Sequence, residues 1–93
     1  MGQGIGMAED QSELLQQLTA RFIDLSNEIK GEGVAVEVVS AAMMSASCFY
    51  ATYAIAGDAG VLSNEGVQQV TKSYGGTLLK VQEYKRDEAA RRK

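Results

Sequence analysis

The feature that most constrains this fold is an uncharged run of twenty residues, VVSAAMMSASCFYATYAIAG, at positions 38–57. A helix of about this length can cross the hydrocarbon core of a membrane. Few residues in the run favour lipid strongly, namely Val38, Val39, Phe49 and Ile55. Hydroxyl groups interrupt it at Ser40, Ser45, Ser47, Tyr50, Thr52 and Tyr53. We therefore predict no membrane span.

The same run is better interpreted as the central helix of a bundle, enclosed by protein. Small residues at helical spacing, such as Ala42, Ala46 and Ala54, allow neighbouring backbones to approach closely. A three-helix monomer covers only about two sides of its central helix, so we expect a homo-oligomer, or contact with an unidentified protein, to bury the rest. The candidate interaction or pocket residues are Met43, Met44, Phe49, Tyr50 and Tyr53.

Periodicity predicts an all-α fold, a three-helix antiparallel bundle with helices at about residues 10–30, 35–56 and 64–90. Residues 1–9 are predicted as a flexible leader and residues 10–93 as a single domain. The segment GVAVEVV at residues 33–39 competes as a strand because its valines are β-branched and alternate. No second strand-like run exists to pair with it, so the helical interpretation is preferred.

Helix ends are indicated by Asp10, which has the spacing of a capping box with Glu13, and by Gly31, which could adopt a left-handed cap. Gly75 and Gly76 interrupt the third helix. Two glycines in a helix cost about 2 kcal/mol relative to alanines. We expect a bend there, a close neighbour that offsets the cost, or a split into two helices with Thr77 as a cap.

Charge is distributed unevenly along the chain. Residues 1–65 carry nine acidic and two basic residues, whereas residues 66–93 carry three acidic and seven basic residues. A candidate basic tail consists of Lys85, Arg86, Arg91, Arg92 and Lys93. It could contact nucleic acid or an acidic membrane surface. The preferred interpretation is that these bases complement the dipole of the helix C-terminus, because acidic residues interrupt the tail and the protein is acidic overall.

The sequence offers no catalytic constellation. Histidine is absent and Cys48 is the only cysteine, so an intrachain disulfide and the usual zinc sites are excluded. Cys48 has no basic neighbour in sequence and is predicted to be a buried, inert thiol. We therefore expect no enzyme activity, no catalytic or metal-binding residues and no cofactor, and we predict a cytoplasmic, reducing location.

An aromatic cluster, defined as Phe49, Tyr50 and Tyr53, admits two interpretations. It could form core packing opposite Gly75 and Gly76, with the tyrosine hydroxyls at the bundle edge. It could instead line a pocket for a small apolar ligand.

Three segments, FIDLSNEIKGEG, VVSAAMMSASCFYATYAIAG and VTKSYGGTLLKVQEYKR, resemble a small family of helical domains of unknown function found mainly in proteobacteria. The resemblance covers about residues 20–86 and depends chiefly on FIDLSNE and VSAAMM. The chain departs from the family pattern at residues 47–49, where a basic residue is expected beside the aromatic, and at Gly75 and Gly76. The resemblance implies a compact helical bundle in the bacterial cytoplasm and implies no reaction.

These observations predict a non-enzymatic module that associates with itself or with another protein. One alternative is a regulatory module that contacts nucleic acid through the basic tail, although the acidic composition argues against it. Another is a small apolar ligand binder that uses the aromatic cluster.

Overall fold

A computed structural model describes residues 9–92, with side chains for residues 11–92. It contains three helices, α1 (Glu9–Gly31), α2 (Val36–Ala56) and α3 (Asn64–Arg91), and no strand among the described residues. The predicted all-α, three-helix fold is confirmed, and every predicted helix end lies within one residue of its observed position. The competing strand does not form, because Val36 begins α2. The predicted leader lies outside the described residues, apart from Glu9 in α1.

The turn between α1 and α2 is made by a different glycine from the one predicted. Gly31 is the last residue of α1, and Gly33 adopts the left-handed conformation with a φ of 100°. The N–H of Gly33 donates to the carbonyl of Lys30 at 3.0 Å, which satisfies a free carbonyl at the helix end. At the other end, α1 begins at Glu9, so Asp10 lies inside the helix and is not its N-cap.

The loop between α2 and α3 is fixed by two glycines and a serine cap. Gly57 has a φ of 82°, and its N–H donates to the carbonyl of Tyr53 at 2.9 Å. A Cβ at Gly60 would clash with the carbonyl oxygen of Ala56 and lie 2.8 Å from its Cβ, so only glycine fits without movement. Ser63 then caps α3, its Oγ accepting a hydrogen bond from the N–H of Gly66 at 3.0 Å.

Helix α3 runs for 28 residues without a break through Gly75 and Gly76. The predicted alternative of two shorter helices, with Thr77 as a cap, is therefore wrong. The expected close neighbour is also missing, because a Cβ built at either glycine meets nothing within 4 Å. The intact i to i−4 hydrogen bonding of the long helix maintains its continuity across a pair of residues that weakly disfavour it.

The chain divides into two compact units, Met1–Ala46 and Ser47–Lys93. In the first unit, Val39 is buried and Ser26, Ile29 and Val34 are half-buried. These residues lie close to the turn that joins α1 to α2. The hydroxyl of Ser26 is 3.0 Å from the sulfur of Met43, which places one side of α2 against α1.

In the second unit, most of the half-buried residues lie near the loop that joins α2 to α3, namely Ala51, Thr52, Ala56, Gly60, Leu62, Gly66 and Val70. Gly75 and Glu88 are also half-buried but lie further along α3. A shallow groove between the two helices is lined by Ala51, Ala54, Ile55, Gln69, Val70 and Ser73. Three of these six side chains are alanine or serine, so the groove contributes little apolar area.

The helices bury much less of their apolar surface than the sequence predicts. Val39, with 7% of its surface exposed, is the only buried hydrophobic residue among those described, while twenty-one large hydrophobic residues are exposed. Every residue at positions 41–50 of α2 is exposed. The chain therefore covers less of α2 than the two sides expected of a three-helix monomer, because most of its contacts lie near the connecting loops.

Candidate interaction surface

Helix α2 presents one apolar face that the structure leaves uncovered. Val38, Ala42, Phe49 and Tyr53 follow one another at steps of four, seven and four residues, so they share a side of the helix. We call this the α2 face. All four residues are exposed. Among Val38, Phe49 and Tyr53, the least accessible is Tyr53, with 42% of its surface exposed. No charged residue lies on α2 except Glu37 in its first turn.

Two other sides of α2 carry the contacts that the helix makes within the chain. Val39 and Met43 project about a quarter turn away from the α2 face, and these are the residues that are buried or in contact with Ser26. Ala51, Ala54 and Ile55 project to the opposite side and line the groove with α3. The α2 face is thus distinct from both intrachain contacts.

The aromatic cluster is closely associated but is not part of a core. The rings of Tyr50 and Tyr53 meet edge to face at 5.4 Å, and those of Phe49 and Tyr53 are tilted at 6.5 Å. Phe49 and Tyr50 are 63% and 73% exposed. The interpretation as core packing opposite Gly75 and Gly76 is therefore wrong, since both glycines face open space at the Cβ position.

The aromatic cluster does not line either of the two shallow grooves described in the second unit. The two shallow grooves of the second unit are lined by other residues, the first by Glu65, Gln68, Gln69, Thr71 and Lys72 and the second by the α2 and α3 residues named above. Of the two candidate methionines, Met43 contacts Ser26, and Met44 is exposed on α2. The five candidate residues therefore all lie on α2, but they project from different sides of the helix.

The basic tail continues α3 as a regular helix up to Arg91. Lys85 Nζ forms an ion pair with Glu88 Oε1 at 3.1 Å, the one ion pair among the described residues. Arg86, Arg91 and Arg92 are exposed, and Lys93 lies outside the described residues. The backbone N–H of Arg92 donates to the carbonyls of Glu88 and Ala89 at the end of the helix. Arg91 lies in the last turn, where a positive side chain is favoured by the helix dipole.

Residues that could support catalysis are not brought together. Within the described part of the chain, no group of three or more Cys, Asp or Glu side chains is arranged to hold a metal ion. Cys48 is exposed, and the prediction that its thiol is buried is therefore wrong. The hydroxyl of Thr52 donates to the backbone carbonyl of Cys48 at 2.9 Å, a hydrogen bond within one turn of the same helix.

By length and composition, α2 is the one described helix that could cross a membrane, with a mean hydropathy of 1.4 over its most apolar window. The core helix of a soluble protein can meet the same criterion, but such helices are mostly buried. Only 6% of this window is buried within the chain. The described residues therefore leave most of this window exposed.

Comparisons with known proteins do not assign a function. No protein-family model, no curated protein and no solved structure matches the chain. The resemblance to the proteobacterial helical domains stays a prediction. Sequence reasoning identified Phe49 and Tyr53 but did not group them with Val38 and Ala42. Their helical spacing was the signal that could have revealed one shared face.

Proposed function

We propose that this protein is a non-enzymatic helical module that works by self-association, with copies covering the apolar helix faces that one chain leaves exposed. One observation carries the proposal, namely that Val39 is the only buried hydrophobic residue among those described. Among the described residues, each unit packs its helices mainly beside their connecting loop.

The energetics of small helical proteins support association. Apolar surface removed from water contributes about 25 cal/mol per Å². Each of the two compact units has fewer than about 50 residues, a size at which a hydrophobic core rarely supplies more than about 3–5 kcal/mol. The chain has neither a disulfide nor a described metal cluster to compensate. Burial between copies is the remaining source of stability.

The distribution of charge supports a second copy as the partner. The unit Met1–Ala46 holds seven acidic and two basic residues, a net charge of −5, and the unit Ser47–Lys93 holds five acidic and seven basic residues, a net charge of +2. The first unit of one copy is therefore attracted to the second unit of another.

Sedimentation equilibrium tests the proposal directly. At micromolar protein we expect the mass of an oligomer, at least twice the 10.0 kDa of one chain. On dilution the oligomer should dissociate, and the circular dichroism signal of the helices should fall with it. A stable, fully helical monomer across the same concentrations would refute self-association.

A further inference from the structure

We propose that the α2 face forms a two-fold interface in which α2 of one copy packs antiparallel against α2 of a second copy. The inference depends on the proposed self-association and specifies its partner surface and geometry. The surface consists of Val38, Ala42, Phe49 and Tyr53, centred on Ser45 and Ala46.

The dimensions of the α2 face suit helix pairing. From Val38 to Tyr53 it extends for about 22 Å, at a rise of about 1.5 Å per residue. The face carries no charge over that length, so any surface that covers it must also be uncharged to avoid burying an unpaired ion. The α2 face of a second copy meets this requirement.

Large and small residues on the α2 face complement each other only in the antiparallel orientation. When the two-fold axis passes between Ser45 and Ala46, Phe49 of one copy lies opposite Ala42 of the other. Tyr53 then lies opposite Val38, so each aromatic ring meets a smaller side chain. A parallel pair would instead place Phe49 against Phe49 and leave a gap between the two Ala42 side chains.

Electrostatics favour the same orientation. The helix dipoles oppose each other favourably when the helices are antiparallel.

Cysteine cross-linking tests the geometry. In a Cys48→Ser background, Ala46→Cys places a thiol next to the proposed axis, and a short bis-maleimide should join most of the protein into covalent dimers. The native protein is the matched control. Cys48 is exposed but projects about a third of a turn from the face, so its thiol should react while giving at least about five-fold less cross-linked dimer.

Exchange of a large and a small residue tests the pairing itself. Phe49→Ala and Ala42→Phe should each weaken association by about a hundred-fold, because each spoils two symmetry-related contacts. The double variant should recover at least ten-fold of that loss, since each ring again meets a small side chain. Circular dichroism at high protein concentration checks that each variant remains helical.

The outcomes separate this interface from self-association in general. An oligomer in which Ala46→Cys does not cross-link and Phe49→Ala has no effect would overturn the α2 pairing but leave the proposed function intact. A monomer would overturn both. Flotation of the native protein with phosphatidylcholine vesicles, abolished by Phe49→Glu, would show that lipid rather than a second copy covers the α2 face.

Discussion

The hydroxyl of Ser26 on α1 lies 3.0 Å from the sulfur of Met43 on α2, and this contact marks where the first unit is packed. The same hydroxyl is 2.8 Å from the carbonyl of Phe22, so it stays close to its own helix. Val39 lies one turn before Met43 and is the only buried hydrophobic residue among those described. The stability of the first unit therefore depends on a small number of contacts near one turn.

Replacement of Val39 should test that dependence. Val39→Ala removes two buried methyl groups, and we expect the free energy of unfolding to fall by about 1–2 kcal/mol. Val61→Ala is the matched control, because Val61 is 85% exposed and its truncation should change stability by less than about 0.5 kcal/mol. Urea titrations at one fixed protein concentration provide the comparison. Equal effects of the two substitutions would contradict the assigned core.

The N-cap of α3 should contribute measurable stability. Ser63 Oγ accepts the Gly66 N–H at 3.0 Å, and Ser63→Ala leaves that donor without its partner. We expect a loss of about 1 kcal/mol in thermal or urea unfolding. Ser12→Ala, at an exposed position inside α1, should be neutral or slightly stabilising because alanine is the better helix former. If Ser63→Asp failed to preserve stability, capping would not be the explanation.

Two kinds of glycine in this chain should respond oppositely to alanine. Gly60→Ala should destabilise the protein by more than about 1 kcal/mol, because its Cβ would clash with the backbone of Ala56. Gly75→Ala and Gly76→Ala should each stabilise it by about 1 kcal/mol, because both lie inside α3 with open space around them. Thermal unfolding measures all three. Destabilisation by the α3 substitutions would indicate that another copy packs closely against those glycines.

The helices could be predicted from the sequence because local patterns determine them. Apolar spacing in α1 and the turn residues around Gly57 set the helix bounds to within one residue. The choice of Gly33 over Gly31 as the left-handed residue could not be predicted, since either glycine can adopt that conformation without cost. The continuity of α3 was also ambiguous, because the cost of Gly75 and Gly76 is comparable with what a long helix can tolerate.

The surface could be predicted only in part. The lack of charge on α2 predicts that the helix is covered, but the amount of cover supplied by the chain depends on contacts distant in sequence. The exposure of Phe49 and Cys48 therefore contradicted the expected core. Helical spacing alone places Phe49 and Tyr53 on one face, and it cannot distinguish a face buried within the chain from one left for a partner.

The basic tail should not make this protein a nucleic-acid binder. We expect no binding of single-stranded or double-stranded DNA or RNA at physiological salt, because the chain is acidic overall and Lys85 is paired with Glu88. Fluorescence anisotropy with labelled oligonucleotides at several salt concentrations measures this. Deletion of residues 85–93 is the control for any residual binding at low salt. Tight binding that weakens steeply with salt and disappears on that deletion would instead assign the tail to nucleic acid, since each phosphate contact releases bound counterions.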